Sequence, residues 1–170
     1  MLYWIATLTL SALLAGAAWH KWQHNADFQS ALAAYRLLPL DAVRATAFVI
    51  MGLEALTALL LWLSPIGALL AAAIFAAYAL AMGINLARGR SDIDCGCGGV
   101  PIHISWHLLL RNAALIALAL VAAFSAPVPM SISSAVMTIL AALSLLLTYF
   151  TVNQLLANRS YWISQKGTFA

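Results

Sequence analysis

Long apolar runs, broken by short polar stretches, set the pattern of the chain. Residues 2–19 form a first apolar run. At about 1.5 Å of rise per helical residue, its length matches a hydrocarbon core of about 30 Å. A polar stretch follows with His20, Lys21, His24, Asn25 and Asp27, after which Phe28, Ala31, Leu32, Tyr35 and Leu38 recur at helical spacing up to Pro39. That segment is too short to span. It predicts an amphipathic helix over about 27–38, lying in the membrane interface or packed on the bundle. Spanning helices are then predicted over about 42–63 and 66–87, joined so closely at Ser64–Pro65 that they must form a tight hairpin. The second of these is rich in alanine, which permits close helix contact. A hydrophilic connection runs from Arg88 to Gly99, and two more spans are expected at 105–124 and 132–155 around a short turn at 126–130. The fold class is therefore an all-α integral membrane bundle of about five transmembrane helices plus one short amphipathic interfacial helix. It forms a single domain over residues 1–170 without internal repeats.

Composition excludes the soluble alternatives. Of 170 residues, 65% are hydrophobic and 8% charged, with a mean hydropathy of +0.96, whereas about a quarter of the residues in ordinary soluble domains are charged. The net charge of +3 is carried by eight scattered Lys and Arg residues that form no basic stripe, which sets nucleic acid aside as a partner. The first run also admits a cleaved signal peptide, with Ala15-Gly16-Ala17 as a cleavage site. Its length and the lack of a preceding Lys or Arg favour a retained span. Five spans put the termini on opposite sides. The amphipathic segment, the 88–99 connection and the C-terminal tail share one side, marked by Trp19, Trp22, Trp106, Tyr161 and Trp162. Tyr3, Trp4 and Trp62 mark the other.

The chemistry concentrates in Cys95-Gly96-Cys97. Gly96 gives the backbone freedom to bend, and a disulfide closed over so short a ring is strained and exchangeable. Arg88, Arg90 and His103 are candidates to stabilise a thiolate, while Asp92 and Asp94 oppose them. Two other readings of the pair stay open. One is a passive local disulfide; the other is a metal site using Cys95, Cys97, His103 and one further ligand, although the spacing departs from the usual zinc pattern. Within the membrane, Glu54 falls near the middle of the second span, where a carboxylate is expensive unless paired or functional. Arg111, followed by Asn112, enters the fourth span from the cysteine side. A Glu54–Arg111 pair is expected, orienting those two spans under the cysteines and lining a proton or quinone site.

Several of these residues lie within a recognisable pattern. Ala34-Tyr35-Arg36-Leu37-Leu38-Pro39, Glu54, Ala81-Met82-Gly83-Ile84-Asn85-Leu86-Ala87-Arg88-Gly89-Arg90, Asp94-Cys95-Gly96-Cys97-Gly98 and Arg111-Asn112 resemble the methylamine-utilisation MauE family and its DoxX-like relatives. The likeness runs from about His20 to Leu120 and is most specific from Asn85 to Cys97. Family members often carry Phe where this chain has Gly98 or Gly99. The resemblance implies membrane thiol–disulfide chemistry that aids maturation of the small subunit of methylamine dehydrogenase, a disulfide-rich periplasmic protein. It also implies a thioredoxin-like partner, MauD, exchanging with Cys95 and Cys97. A membrane quinone as electron acceptor is suggested by membrane residence alone. A non-enzymatic docking factor and a metal-binding membrane protein are the alternatives.

Charge and resemblance disagree on orientation. All eight Lys and Arg residues lie on the cysteine side, which the positive-inside bias places in the cytoplasm. A disulfide donor to an exported client belongs in the periplasm. The expectation adopted is a protein of the bacterial inner membrane with the cysteine site facing the periplasm, on the strength of the resemblance.

Overall fold

The computed structural model describes residues 1–97 and 102–167, with side chains described through Asn158. Gly98 and Gly99, and the side chains of Tyr161 and Trp162, lie outside the described residues. The helices are α1 (Leu2–Gln23), α2 (Asn25–Ala34), α3 (Leu40–Leu63), α4 (Pro65–Ala87), α5 (Trp106–Phe124) and α6 (Ile132–Gly167). All but α2 are long and apolar enough to cross a membrane, α6 over Ile132–Asn158. The five-span bundle with one short extra helix is the architecture expected from the apolar runs.

Local chemistry explains the helix ends. Pro39 precedes α3, and Pro65 opens α4, where its missing N–H is no loss. Ser64 caps α4 by accepting a hydrogen bond from the Ile66 amide at 3.0 Å. The α3–α4 turn is so tight that a Cβ on Gly67 would strike the backbone of Leu60 and Leu61. Three boundaries differ clearly from expectation, and the longest departure is α6, which continues past Leu155 to Gly167. Helix α1 continues past Trp19 because Lys21 belongs to the bundle interior, 2% exposed. Helix α2 stops at Ala34 instead of Leu38. Arg36 adopts the left-handed conformation (φ 50°), which ends a helix, and Pro39 keeps Leu38 out of helical geometry. Phe28 and Ala31 are buried, so α2 packs on the bundle as well as bordering the interface.

Helix α1 sits centrally against α3, α5 and α6, α3 lies against α4, and α4 lies along α5. Their shared core is built largely from small residues, with Ala6, Ala58, Ala68, Ala71, Ala119 and Ala122 interleaved with Leu10, Leu14, Leu61, Phe75 and Leu115. In an apolar solvent hydrophobicity does not drive helices together, and close backbone approach through small residues supplies the packing instead. The outer surface is correspondingly greasy, Leu63 being 78% and Ile132 87% exposed. Trp19, Trp22 and Trp106 are exposed at the cysteine end, while at the other Trp4 meets Tyr3 edge to face and Trp62 at a tilt. There Trp4 Nε1 donates to the Val128 carbonyl in the α5–α6 turn at 2.9 Å.

Candidate functional site

The connection between α4 and α5 is folded down onto the bundle. The Cys95 amide donates to the Ile102 carbonyl and the Ile104 amide to the Ile93 carbonyl, both at 2.9 Å, around an antiparallel bridge between Asp94 and His103. Ile93, Ile102 and Ile104 are buried against Tyr35, Met82 and Leu108. Asp94 Oδ1 accepts from the Gly96 and Ile102 amides at 3.3 Å. Gly96 is left-handed (φ 65°), and the loop seats on α2 so that a Cβ there would lie in van der Waals contact with Ala31 at 3.4 Å and the Phe28 ring at 3.5 Å. Glycine is thus favoured by conformation, since a left-handed backbone strains other residues. The Tyr35 hydroxyl donates to the Cys95 carbonyl at 3.2 Å.

This seating turns both cysteines, half-buried and unbridged, toward the bundle interior. The Cys97 amide donates to Cys95 Sγ at 3.2 Å. Arg111 Nη2 donates to Cys97 Sγ at 3.1 Å, and its Nη1 to Asn153 Oδ1 at 2.9 Å. The guanidinium also lies 5.5 Å from the centre of the Tyr149 ring. No described carboxylate pairs with Arg111, so the Cys97 sulfur is the anion this cation can stabilise. Cys97 is accordingly lowered from the ordinary 9.0 to about 6, first by the hydrogen bond from the Cys95 thiol, then, against the opposing effect of burial, by the charges of Arg111 and Lys21. Cys95 moves the other way. Its hydrogen bond to Cys97 and its burial hold it protonated. The two sulfurs thus divide into a stabilised thiolate and a retained thiol.

Deeper in the bundle Lys21 and Glu54 form a buried ion pair. The Tyr78 hydroxyl donates to Glu54 Oε1 at 2.5 Å and lies 3.2 Å from Lys21 Nζ. The ammonium also sits 5.1 Å and 5.0 Å from the ring centres of Phe28 and Tyr78. Between this cluster and the cysteines lies a cavity of about 350 Å³, within the size range of small-molecule sites. Cys95, Cys97, Lys21, Glu54, Tyr78 and Arg111 line it along with many apolar side chains.

The expected Glu54–Arg111 pair is not formed. A helical side chain leaves its axis toward the helix N-terminus. From the second turn of α5, Arg111 therefore rises toward Cys97, while Lys21, near the C-terminal end of α1, leans inward and meets Glu54. Asn112 is buried beside the cavity, its amide donating to the Leu108 carbonyl at 2.8 Å. Arg90 does not serve the thiolate. It caps the end of α2, donating to the Ala34 carbonyl at 2.7 Å, the Tyr35 carbonyl at 3.3 Å and Asn85 Oδ1 at 2.8 Å. Arg88 is exposed and makes no hydrogen bond or ion pair to either cysteine. His103 is exposed as well, because strand alternation across the bridge buries Ile102 and Ile104 and turns His103 outward. Among the described residues no three His, Cys, Asp or Glu side chains converge, so the metal reading lacks a ligand set there. Lys21, Tyr35, Tyr78, Tyr149 and Asn153 are the site residues that the sequence reading did not single out.

These features define a multi-pass membrane protein with a dithiol folded over an intramembrane cavity. The family described as Methylamine utilisation protein MauE matches over residues 1–125, and the chain belongs to that family. It is 36% identical to the methylamine utilization protein MauE of Paracoccus denitrificans over 162 residues, covering 91% of this chain and 87% of the relative. It is 34% identical to that of Methylophilus methylotrophus over 131 residues, covering 75% and 69%. No solved structure matches.

Proposed function

We propose that this chain is a membrane thiol–disulfide oxidoreductase of methylamine utilisation that delivers oxidising equivalents to a thioredoxin-like partner, MauD-like, and through it to the small subunit of methylamine dehydrogenase. Membership of the MauE family ties the chain to the pathway. The observation carrying the chemistry is Arg111 Nη2 at 3.1 Å from Cys97 Sγ. A cation held there favours Cys97 as the leaving sulfur, since low-pKa thiolates depart faster in exchange. In the oxidised protein a partner thiolate attacks Cys95 Sγ, the Cys95–Cys97 bond breaks, and its electron pair leaves on Cys97. The partner's second thiol then attacks its own mixed-disulfide sulfur, releasing Cys95 as a thiol and the partner as a disulfide.

Two experiments test this. With a partner lacking its second cysteine, the oxidised protein should trap a mixed disulfide at Cys95 with Cys97 left as the free thiol, read by peptide mass spectrometry, and a mixed disulfide at Cys97 would reverse the assignment. In cells, Cys95→Ser with Cys97→Ser should abolish maturation of the dehydrogenase small subunit at normal membrane levels of the protein. Maturation retained by the double variant would instead make the chain a docking factor.

A further inference from the structure

We propose that the cavity beneath Cys95 and Cys97 binds a lipid-soluble para-quinone, which takes two electrons from the reduced cysteine pair. This rests on the exchange reading above and supplies the oxidant that reading lacks.

Three observations converge on a quinone. First, the cavity reaches the lipid-facing surface. Leu37, Leu38 and Leu53 line it and are also 37–44% exposed on the outside, so a ligand dissolved in the bilayer enters sideways. A hydrophilic oxidant or a partner's loop would have to cross apolar surface to do the same. Second, the interior is not merely greasy. Among its lining residues, two polar atoms are buried without a hydrogen-bond partner, Glu54 Oε2 and Arg111 Nε. Buried polar atoms are normally satisfied, and an acyl chain would leave both orphaned. A quinone presents a carbonyl oxygen to the Arg111 N–H, and its reduced form presents a hydroxyl to the Glu54 carboxylate. Third, both redox-active sulfurs line the same space, so donor and acceptor meet without a conformational change.

The reaction balances. The Cys97 thiolate and Cys95 thiol form one S–S bond, giving up two electrons and the Cys95 proton. The quinone takes the two electrons and two protons and becomes a hydroquinone. One proton comes from Cys95 and the other from the Lys21–Glu54–Tyr78 cluster, which is reprotonated from water.

The test uses the full-length protein in phospholipid nanodiscs, reduced, freed of reductant and kept anaerobic. Decylubiquinone is added, and the loss of quinone absorbance is followed alongside the Cys95–Cys97 disulfide, read by mass spectrometry. Diamide serves as a soluble oxidant in parallel. One hydroquinone per disulfide is expected. Leu53→Trp, which fills the cavity mouth, should slow the quinone reaction by about tenfold or more, since misplacing a reactant by about 1 Å is already that costly. Its diamide reaction should be unchanged, and Leu56→Trp, exposed on the same helix but outside the cavity lining, should keep the quinone rate. If diamide closes the disulfide while decylubiquinone does not, the inference fails and the exchange reading stands. Equal quinone rates in wild type and Leu53→Trp would place the reaction outside the cavity and also overturn it. Thiols inert to both oxidants would overturn the exchange reading and this inference together.

Discussion

At the scale of single residues the site is an asymmetric pair. Cys97 is held as thiolate by the Cys95 thiol and by Arg111, while Cys95 keeps its proton. The depressed value fixes the sign of the pH dependence. Thiolate, and with it alkylation, rises as pH climbs through about 6 and is nearly complete at neutrality. By the same linkage, ionised Cys97 stabilises the folded, reduced protein fully above 9.0, and that increment is lost as pH falls through about 6. Iodoacetamide labelling of the reduced protein, assigned by peptide mass spectrometry, should therefore favour Cys97 at pH 7. Arg111→Gln should raise the midpoint by about one unit, so that the thiolate fraction at pH 7 falls from about nine-tenths to about one-half and, below pH 5, by roughly tenfold. A midpoint unmoved by Arg111→Gln would show that the guanidinium only packs against the sulfur. The sequence displays Cys95, Gly96 and Cys97 plainly, because two cysteines around a glycine are informative by spacing alone. It also places Arg111 near the cysteine side. What goes astray is the partner of Arg111: with spacing and depth alone, Glu54 looks like the natural counter-charge, and only the tilt of helical side chains toward the N-terminus separates the two destinations.

At the scale of helices, the buried polar residues follow one rule, lying in register with the core stripe of their own helix. On α1 the buried face runs Tyr3, Leu10, Leu14, Ala18, Lys21; on α3 it runs Val43, Ala47, Met51, Glu54, Ala58; on α5 it runs Leu108, Asn112, Leu115, Ala119. Spacings of three, four and seven carry the α1 stripe beyond Trp19 to Lys21, but the polar run around that residue reads along the chain as a solvated connection. Tyr78 escapes the same reading because a tyrosine among alanines is an ordinary feature of an apolar helix, and its role depends on the neighbours that packing brings. The ion pair makes a separate prediction. Removing one partner of a buried pair leaves an uncompensated charge and typically costs about 3–5 kcal/mol, whereas replacing both by apolar or neutral groups is often near neutral. Lys21→Met and Glu54→Gln should each lower the thermal midpoint of the purified protein markedly, and the double variant should recover most of the loss. Additive losses would mean that the two side chains act independently, each through its contacts with Tyr78 or Phe28.

Across the whole molecule the open choice is which side of the membrane carries the dithiol, and the structure changes how the charges weigh. Three cations that crowd the cysteine side are committed to internal partners. Lys21 is paired with Glu54, Arg90 caps α2, and Arg111 is held by Cys97 and Asn153. Those charges are required by the fold and the site wherever that side faces, so they are a poor index of orientation. Among the described residues, Arg36, Arg44 and Arg88 are exposed and carry the statistical bias toward a cytoplasmic cysteine side. The proposed delivery of disulfides to an exported client requires the opposite side, because disulfides persist outside the reducing cytosol. The five spans supply a direct discriminator, since the connection after α4 and the turn after α5 lie on opposite faces. In a Cys95→Ser, Cys97→Ser background, single reporter cysteines at Ser91 and Ser131, both exposed, can be challenged with a membrane-impermeant maleimide. In sealed spheroplasts Ser91→Cys should label and Ser131→Cys should not, both labelling once the membrane is opened. The reverse pattern would put the dithiol in the cytoplasm, where an oxidising relay to a periplasmic partner is impossible.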